Sequence, residues 1–270
     1  MQLRARCPSN TIYGKTKCHI PTQDKQTIDP PLPLLSVFLL QVQYNLFVGS
    51  IVALGTDLQR QTLYDTQEKG ELGCFAFTEI GAGVLSGAGV ETIATYNADK
   101  QTFSIVSPTP TSHKTWISQG MFAEHAVILA NIIMPDGSNK GPHLFFSRIQ
   151  HRHATTGEMT AVNDSVRITS LAEKTALRGL DNAYISFDHF EVPRAALLGR
   201  YSTVTEDGQY VLQLPPGNKR MLDVLISRLL TGRVCLSEYT VGIARVRVCV
   251  SVCLSMCVYL CVSMCVSLCV

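Results

Sequence analysis

An α+β fold is predicted for this 270-residue chain, with a short helical segment, a central all-β unit and a returning helix in that order. Three observations predict it. A strongly apolar run near the N-terminus is interrupted at its centre by amides, which suits buried helices better than a membrane span. β-Branched and aromatic runs of strand length recur between Gly73 and about Pro193, separated by Gly, Pro, Asn and Asp. An apolar stripe at helical spacing returns after Pro215-Pro216-Gly217.

Composition sets the outer bounds. At 46% hydrophobic residues the chain can bury a sizeable core. Its 23 Lys+Arg against 21 Asp+Glu leave no basic excess to hold a phosphate backbone, which excludes nucleic acid as a partner of this type. Six of the ten cysteines fall at 249, 253, 257, 261, 265 and 269, so they do not form the dispersed framework of a small secreted domain, and a reducing interior is expected.

Residues 1–30 mix Arg, Lys, Asn, Pro and Thr without periodicity and are expected to be a disordered lead-in. Residues 31–70 are expected to form a partial N-terminal helical domain, built from the apolar run 32–55 with Gln41, Gln43 and Asn45 at its centre. Residues 71–196 carry the strand runs ETIATYNAD, TFSIVSP, HAVILANIIM, HLFFSRI, DSVRITS and NAYISFDHFEVP, which predict a barrel or sandwich. Residues 197–247 are expected to start a second helical unit, with Met221, Leu225, Leu229 and Val234 on one helical face. The last segment, 248–270, is uncharged and as a helix would extend about 35 Å, a membrane-span length. Its four-residue Cys periodicity instead reads as a low-complexity Cys/Val string, of the kind a thymine-guanine nucleotide repeat encodes. Metal binding fits it poorly, because structural zinc ligands come as close pairs separated by a loop.

The richest stretch for chemistry is Gly73 to Thr92, GCFAFTEIGAGVLSGAGVET. It is followed by Ala94-Thr95-Tyr96, Ser107-Pro108 and Lys114-Thr115-Trp116-Ile117-Ser118-Gln119-Gly120. Further motifs are Leu177-Arg178-Gly179-Leu180-Asp181-Asn182, Phe187-Asp188, Val192-Pro193-Arg194, Asp207-Gly208-Gln209-Tyr210 and Gly232-Arg233-Val234. With these ordered motifs, roughly Tyr44 to Arg245 resembles the acyl-CoA oxidase family, within the acyl-CoA dehydrogenase superfamily. The resemblance implies an acyl-CoA dehydrogenase-like fold: a partial N-terminal helical domain, a central β-barrel and the start of a C-terminal helical bundle. It also implies FAD as cofactor, fatty acyl-CoA and molecular oxygen as partners, trans-2-enoyl-CoA and hydrogen peroxide as products, a homodimer and a peroxisomal location. The last residues, Ser267-Leu268-Cys269-Val270, carry no Ser-Lys-Leu type address.

The same resemblance assigns flavin contact to Thr78 and Ser118, whose hydroxyls can hydrogen-bond the ring without adding charge. At the position of Ser118 oxidases usually carry glycine, while dehydrogenases carry a hydroxyl residue. That departure admits an electron-carrier-dependent dehydrogenase as a second reading, and a non-catalytic fragment with a tail anchor is a third. Trp116, the only tryptophan, is expected as a core anchor beneath the cofactor. Gly81, Gly83, Gly87 and Gly89 lack the strand-turn-helix setting of a dinucleotide fingerprint; in the family this loop passes close to flavin and substrate.

Other candidates carry less. His151-Arg152-His153 is expected as solvated surface rather than a metal site, and Asn163-Asp164-Ser165 as a sequon without a secretory context. Arg178 and Asp181 are expected to brace a strand turn. The family's catalytic glutamate has no counterpart, since its position lies beyond the start of the Cys/Val string. The chain is therefore expected to be C-terminally truncated relative to the family, with no catalytic residue of its own and little or no activity.

Overall fold

The computed structural model describes residues 39–82, 89–175, 178–227, 229–242 and 244–245. The lead-in 1–30, the loop glycines Gly83 and Gly87, Leu177 and the string 248–270 lie outside the described residues.

The described part of the N-terminal apolar run forms helix α1, wound as π-helix over Gln41–Val48 and as α-helix over Gly49–Leu54. Helix α2, Asp57–Glu68, follows at once. Its start is fixed by a capping box: Thr56 Oγ1 accepts from Gln59 N at 3.3 Å, and Gln59 Oε1 accepts from Thr56 N at 2.9 Å, so two otherwise orphaned donors are bonded reciprocally. Gln59 Nε2 also donates to Ala195 and Leu197 carbonyls at 2.7 Å, tying the helix to a distant part of the chain. Among the described residues no helix is long and apolar enough to cross a membrane.

Strands β1 (Gly73–Ala76), β2 (Ile93–Asn97), β3 (Thr102–Val106), β5 (His125–Ile133), β6 (Asn139–Arg148) and β11 (Phe190–Pro193) make one sheet. Within it β5 pairs antiparallel with β6 on one side. On its other side it pairs in parallel with β1 along His125 to Ile128 and with β2 along Asn131 to Ile133. A second sheet orders β4 (Lys114–Ser118), β10 (Asn182–Phe187) and β9 (Val166–Ser170). Short hairpins join β7 (Gln150–Arg152) to β8 (Met159–Ala161) and β12 (Ser202–Val204) to β13 (Tyr210–Leu212). The chain passes from the second sheet to the first at Asp188-His189, where His189 takes the left-handed φ of 51°.

Two cores lie on the two faces of the first sheet. Cys74, Ala76, Ala126, Ile128, Ala130 and Ile132 face the second sheet and meet Ile117, Ala183, Ile185 and Phe187. The alternate residues Phe75, Phe77, Val127 and Leu129 face the helices and meet Phe47, Ile51, Leu54 and Leu63. This two-sided burial explains why the strand is apolar without alternation from Ala126 to Ala130. Gly73 is where α1 comes closest: a Cβ there would stand 2.1 Å from the Phe47 ring.

After β13 the described residues 221–227 and 229–242 are helical, both stretches carrying the label α3. Met221, Val224 and Leu225 are buried in the helix-side core, and Leu229 packs against it. Val234, expected on the same face, is 62% exposed, because the buried stripe ends within the first turns of α3. On β6, beside the β12–β13 hairpin, His143 is fully buried, its Nδ1 2.9 Å from Gly141 O and its Nε2 2.8 Å from the Tyr210 hydroxyl.

Candidate functional site

Just past β1 the segment carrying Thr78 lies against the start of β4. Thr115 N donates to Thr78 O at 2.9 Å, and Ile80 N donates to His113 O at 3.1 Å. The Thr78 hydroxyl donates to Thr115 O at 2.5 Å. Ser118 ends the same strand β4, three residues beyond Thr115. The fold thus brings the segments of Thr78 and Ser118, forty positions apart in sequence, side by side; both side chains are half-buried.

Between them β4 bulges. Ile117 pairs with Ala183 and Lys114 with Ile185, so three steps of β4 match two of β10. Trp116 sits at this bulge with φ 59°. A bulge re-aims the side chain it carries, and here the indole is 60% exposed. That corrects the sequence expectation of a core anchor: the extra residue turns Trp116 out of the pleat. Ile80 and Phe122 are the other large apolar side chains exposed on neighbouring segments.

Behind the hydroxyls stands a buried ion pair that sequence reasoning missed. Lys114 Nζ donates to Glu79 Oε1 at 2.8 Å and to Leu129 O at 2.6 Å, with both side chains at 1% exposure or less. Glu79 also accepts from Thr92 N, from the Thr92 hydroxyl at 2.6 Å and from Glu91 N at 2.8 Å. Burial pulls the Lys114 ammonium down to about 8, opposed by the charge and hydrogen bond of Glu79. Lys114 sits in a polar motif with nothing in its spacing to mark it as buried.

Asp181 braces a turn, as expected: its two carboxylate oxygens accept from Gln119 N at 3.1 Å and Met121 N at 3.3 Å. Burial raises its pKa, and those backbone donors work in the opposite direction. Arg178 instead lies on the surface, donating to Lys174 O at 3.2 Å. Asn182 Nδ2 donates to Ser118 Oγ at 3.0 Å, a contact that strand spacing alone does not reveal. Gly81 N donates to Thr111 O at 2.8 Å, holding the entry to the glycine-rich loop against the residues before β4.

The remaining candidates are accounted for structurally. His151, Arg152 and His153 are exposed, and Arg152 Nε pairs with Glu124 Oε1 at 2.6 Å. Asn163 Oδ1 accepts from Ser165 N at 3.1 Å in an exposed turn. Among the described residues no group of His, Cys, Asp and Glu could hold a metal ion.

No family model matches the chain. It is similar to the peroxisomal acyl-coenzyme A oxidase 2 of Arabidopsis thaliana, with 32% identity over 219 residues, covering 78% of this chain and 30% of that protein. Its fold is similar to the crystal structure of acyl-CoA oxidase 3 from Yarrowia lipolytica, with a TM-score of 0.62 and 28% identity over 73% of this chain and 28% of that one. The Caenorhabditis elegans acyl-CoA oxidase-1 structure complexed with FAD and ATP aligns with a TM-score of 0.55 and 29% identity, covering 61% of this chain and 25% of that one. The chain thus spans about 30% of the length of the curated relatives it matches. With 30–32% identity to acyl-coenzyme A oxidases over 78% of its length, and acyl-CoA oxidase crystal structures sharing its fold, the chain belongs to the acyl-CoA oxidase family.

Proposed function

We propose that this chain is the flavin-facing portion of a peroxisomal, FAD-dependent acyl-CoA oxidase that converts fatty acyl-CoA to trans-2-enoyl-CoA, with oxygen as acceptor and hydrogen peroxide as by-product. The observation that carries the proposal is the convergence of the Thr78 segment on β4 beside the outward-turned Trp116. The residues present suit a flavin. Both hydroxyls are neutral, and the Ser118 hydroxyl accepts from Asn182 while its own hydrogen has no protein acceptor among the described residues. Close by, the buried Gln119 Oε1 has no hydrogen-bond partner. When bound, FAD supplies the electron sink for oxidation of the acyl chain. Ser118 would fix the ring plane by donating an uncharged hydrogen bond, and Thr78, whose hydrogen goes to Thr115 O, by accepting one.

The domain reading belongs to the same proposal. The two sheets are taken as one central barrel (71–196), with 31–70 as part of an N-terminal helical domain and 197–247 leading into a helical bundle that starts with α3. The β12–β13 hairpin intervenes before that helix and adds Val204 to the sheet-side core. The whole enzyme is read as a homodimer.

Of the carboxylates described near Thr78 and β4, two are committed inside the fold, and the third, the exposed Glu91, accepts from the Thr109 and Thr111 hydroxyls through Oε2. Glu79 is held by Lys114, Thr92 and Glu91, and Asp181 by two backbone amides. General-base assistance is worth roughly 10²–10⁴-fold. The purified 270-residue polypeptide is therefore expected to release no measurable peroxide from long-chain acyl-CoA, and steady turnover would contradict this. Long-chain acyl-CoA, but not free CoA, is expected to perturb the visible spectrum of the FAD-loaded chain; identical responses to both would remove the substrate assignment.

The Ser118 hydroxyl favours a second reading, in which electrons leave through a carrier rather than oxygen. Reducing the bound FAD chemically and mixing it with oxygen or with an artificial dye separates the two: fast reoxidation by oxygen supports the oxidase, and reoxidation by dye alone the carrier-dependent enzyme.

A further inference from the structure

Ser118 does not stand alone. Lys174 Nζ donates to Asn182 Oδ1 at 2.6 Å and also to Leu180 O, and Asn182 Nδ2 donates to Ser118 Oγ at 3.0 Å. Asn182 is 7% exposed, and its backbone pairs with Ser118 across β4 and β10, so its side chain is confined between its two partners. The direction of the relay follows from chemistry rather than from atom labels. An ammonium can only donate, so the carboxamide must present its oxygen to Lys174. Its NH₂ is then forced toward Ser118, whose oxygen accepts. The serine's single hydrogen is thereby excluded from the contact with Asn182 and left for another acceptor. Without the ammonium, the amide is free to turn over and take the serine hydrogen itself.

We propose that Lys174 is a positioning residue which, through Asn182, fixes the Ser118 hydroxyl as a hydrogen-bond donor toward the flavin and so favours the reduced, more negatively charged ring. This rests on the flavin reading above. A donor aimed at developing negative charge stabilises that state more than the neutral one. A serine in the opposite orientation, accepting from outside, would do the reverse. Lys174 thereby acts on the redox balance of the site without touching the ring.

The test uses the full 270-residue chain and its Lys174→Met, Lys174→Arg, Ser118→Ala and Lys174→Met/Ser118→Ala variants. The measured quantity is the ratio of affinities for reduced and oxidised FAD. Loss of one hydrogen bond to a charged group corresponds to roughly a tenfold change in such a ratio. Lys174→Met and Ser118→Ala are each expected to lower the preference for reduced FAD about tenfold, the double variant no further than either alone, and Lys174→Arg to retain the wild-type ratio. A wild-type ratio in Lys174→Met beside a lowered one in Ser118→Ala overturns the inference, as does full additivity in the double variant. The NMR signal of the Asn182 side-chain amide in the flavin-free chain tests the relay itself: it is expected to move in both single variants, and an unmoved signal in Lys174→Met refutes the relay. A wild-type chain that takes up no FAD while that signal responds as expected overturns the flavin reading and, with it, the redox role of Lys174.

Discussion

The charge behind Thr78 is the residue most exposed to substitution. Lys114 is fully buried, and its ammonium is matched by one carboxylate and one carbonyl. Removing one partner of such a pair leaves an uncompensated buried charge, at a cost of about 3–5 kcal/mol. Lys114→Met, which strands Glu79, is therefore expected to lower unfolding stability by about that amount in denaturant titration. A loss near zero would show that Glu79 is satisfied by Thr92 and Glu91 alone. His143 gives a pH-dependent counterpart. Burial pushes its pKa down to about 4, with the bond to Gly141 O acting the other way, while the unfolded chain keeps the ordinary value near 6.5. Between those values the unfolded state binds more protons, so stability rises with pH. The contribution is complete above about 6.5 and is lost as pH falls toward 4, by about 3 kcal/mol in all. His143→Gln is expected to flatten that part of the stability-pH curve; an unchanged slope would assign the acid sensitivity to other groups.

Among the elements, α1 depends on a missing side chain. The Phe47 ring fills the space over Gly73, and Gln43 Oε1 accepts from Gly73 N at 2.9 Å, so helix and strand meet at one residue. Gly73→Ala forces the ring and β1 apart. A destabilisation of roughly 1–3 kcal/mol is expected from such overpacking, measured by thermal or denaturant unfolding, and a neutral result would mean that α1 shifts freely. The elements also show what the sequence made legible. The strand-length runs from ETIATYNAD to NAYISFDHFEVP coincide with β2, β3, β5, β6, β9 and the β10–β11 pair, because β-branched content and turn residues act locally. Trp116 was misread because a bulge comes from a register mismatch with β10, a strand more than sixty residues away. The short β7, β8, β12 and β13 had no run long enough to announce them. The face of α3 was legible at Met221 and Leu225 but not at Val234, since periodicity marks a stripe without saying how far its neighbour extends.

At the scale of the molecule, the resemblance proposes Thr78 and Ser118 as flavin contacts, and the fold sets their segments side by side through the pairing of residues 78–80 with 113–115. What lies behind them was not legible. The Glu79–Lys114 pair, and Lys174 acting through Asn182, bring together residues 35 and 8 positions apart by tertiary contact, and neither pair forms a sequence pattern. The account of function depends on whether this face holds a flavin, and the most direct measurement is equilibrium titration of the purified 270-residue chain with FAD, followed by fluorescence and visible absorption. Saturable uptake into a yellow complex, weakened at least several-fold in a folded Thr78→Ala/Ser118→Ala variant, is the predicted result. A folded wild-type chain that stays colourless at saturating FAD, or a double variant that binds it equally well, would contradict the account.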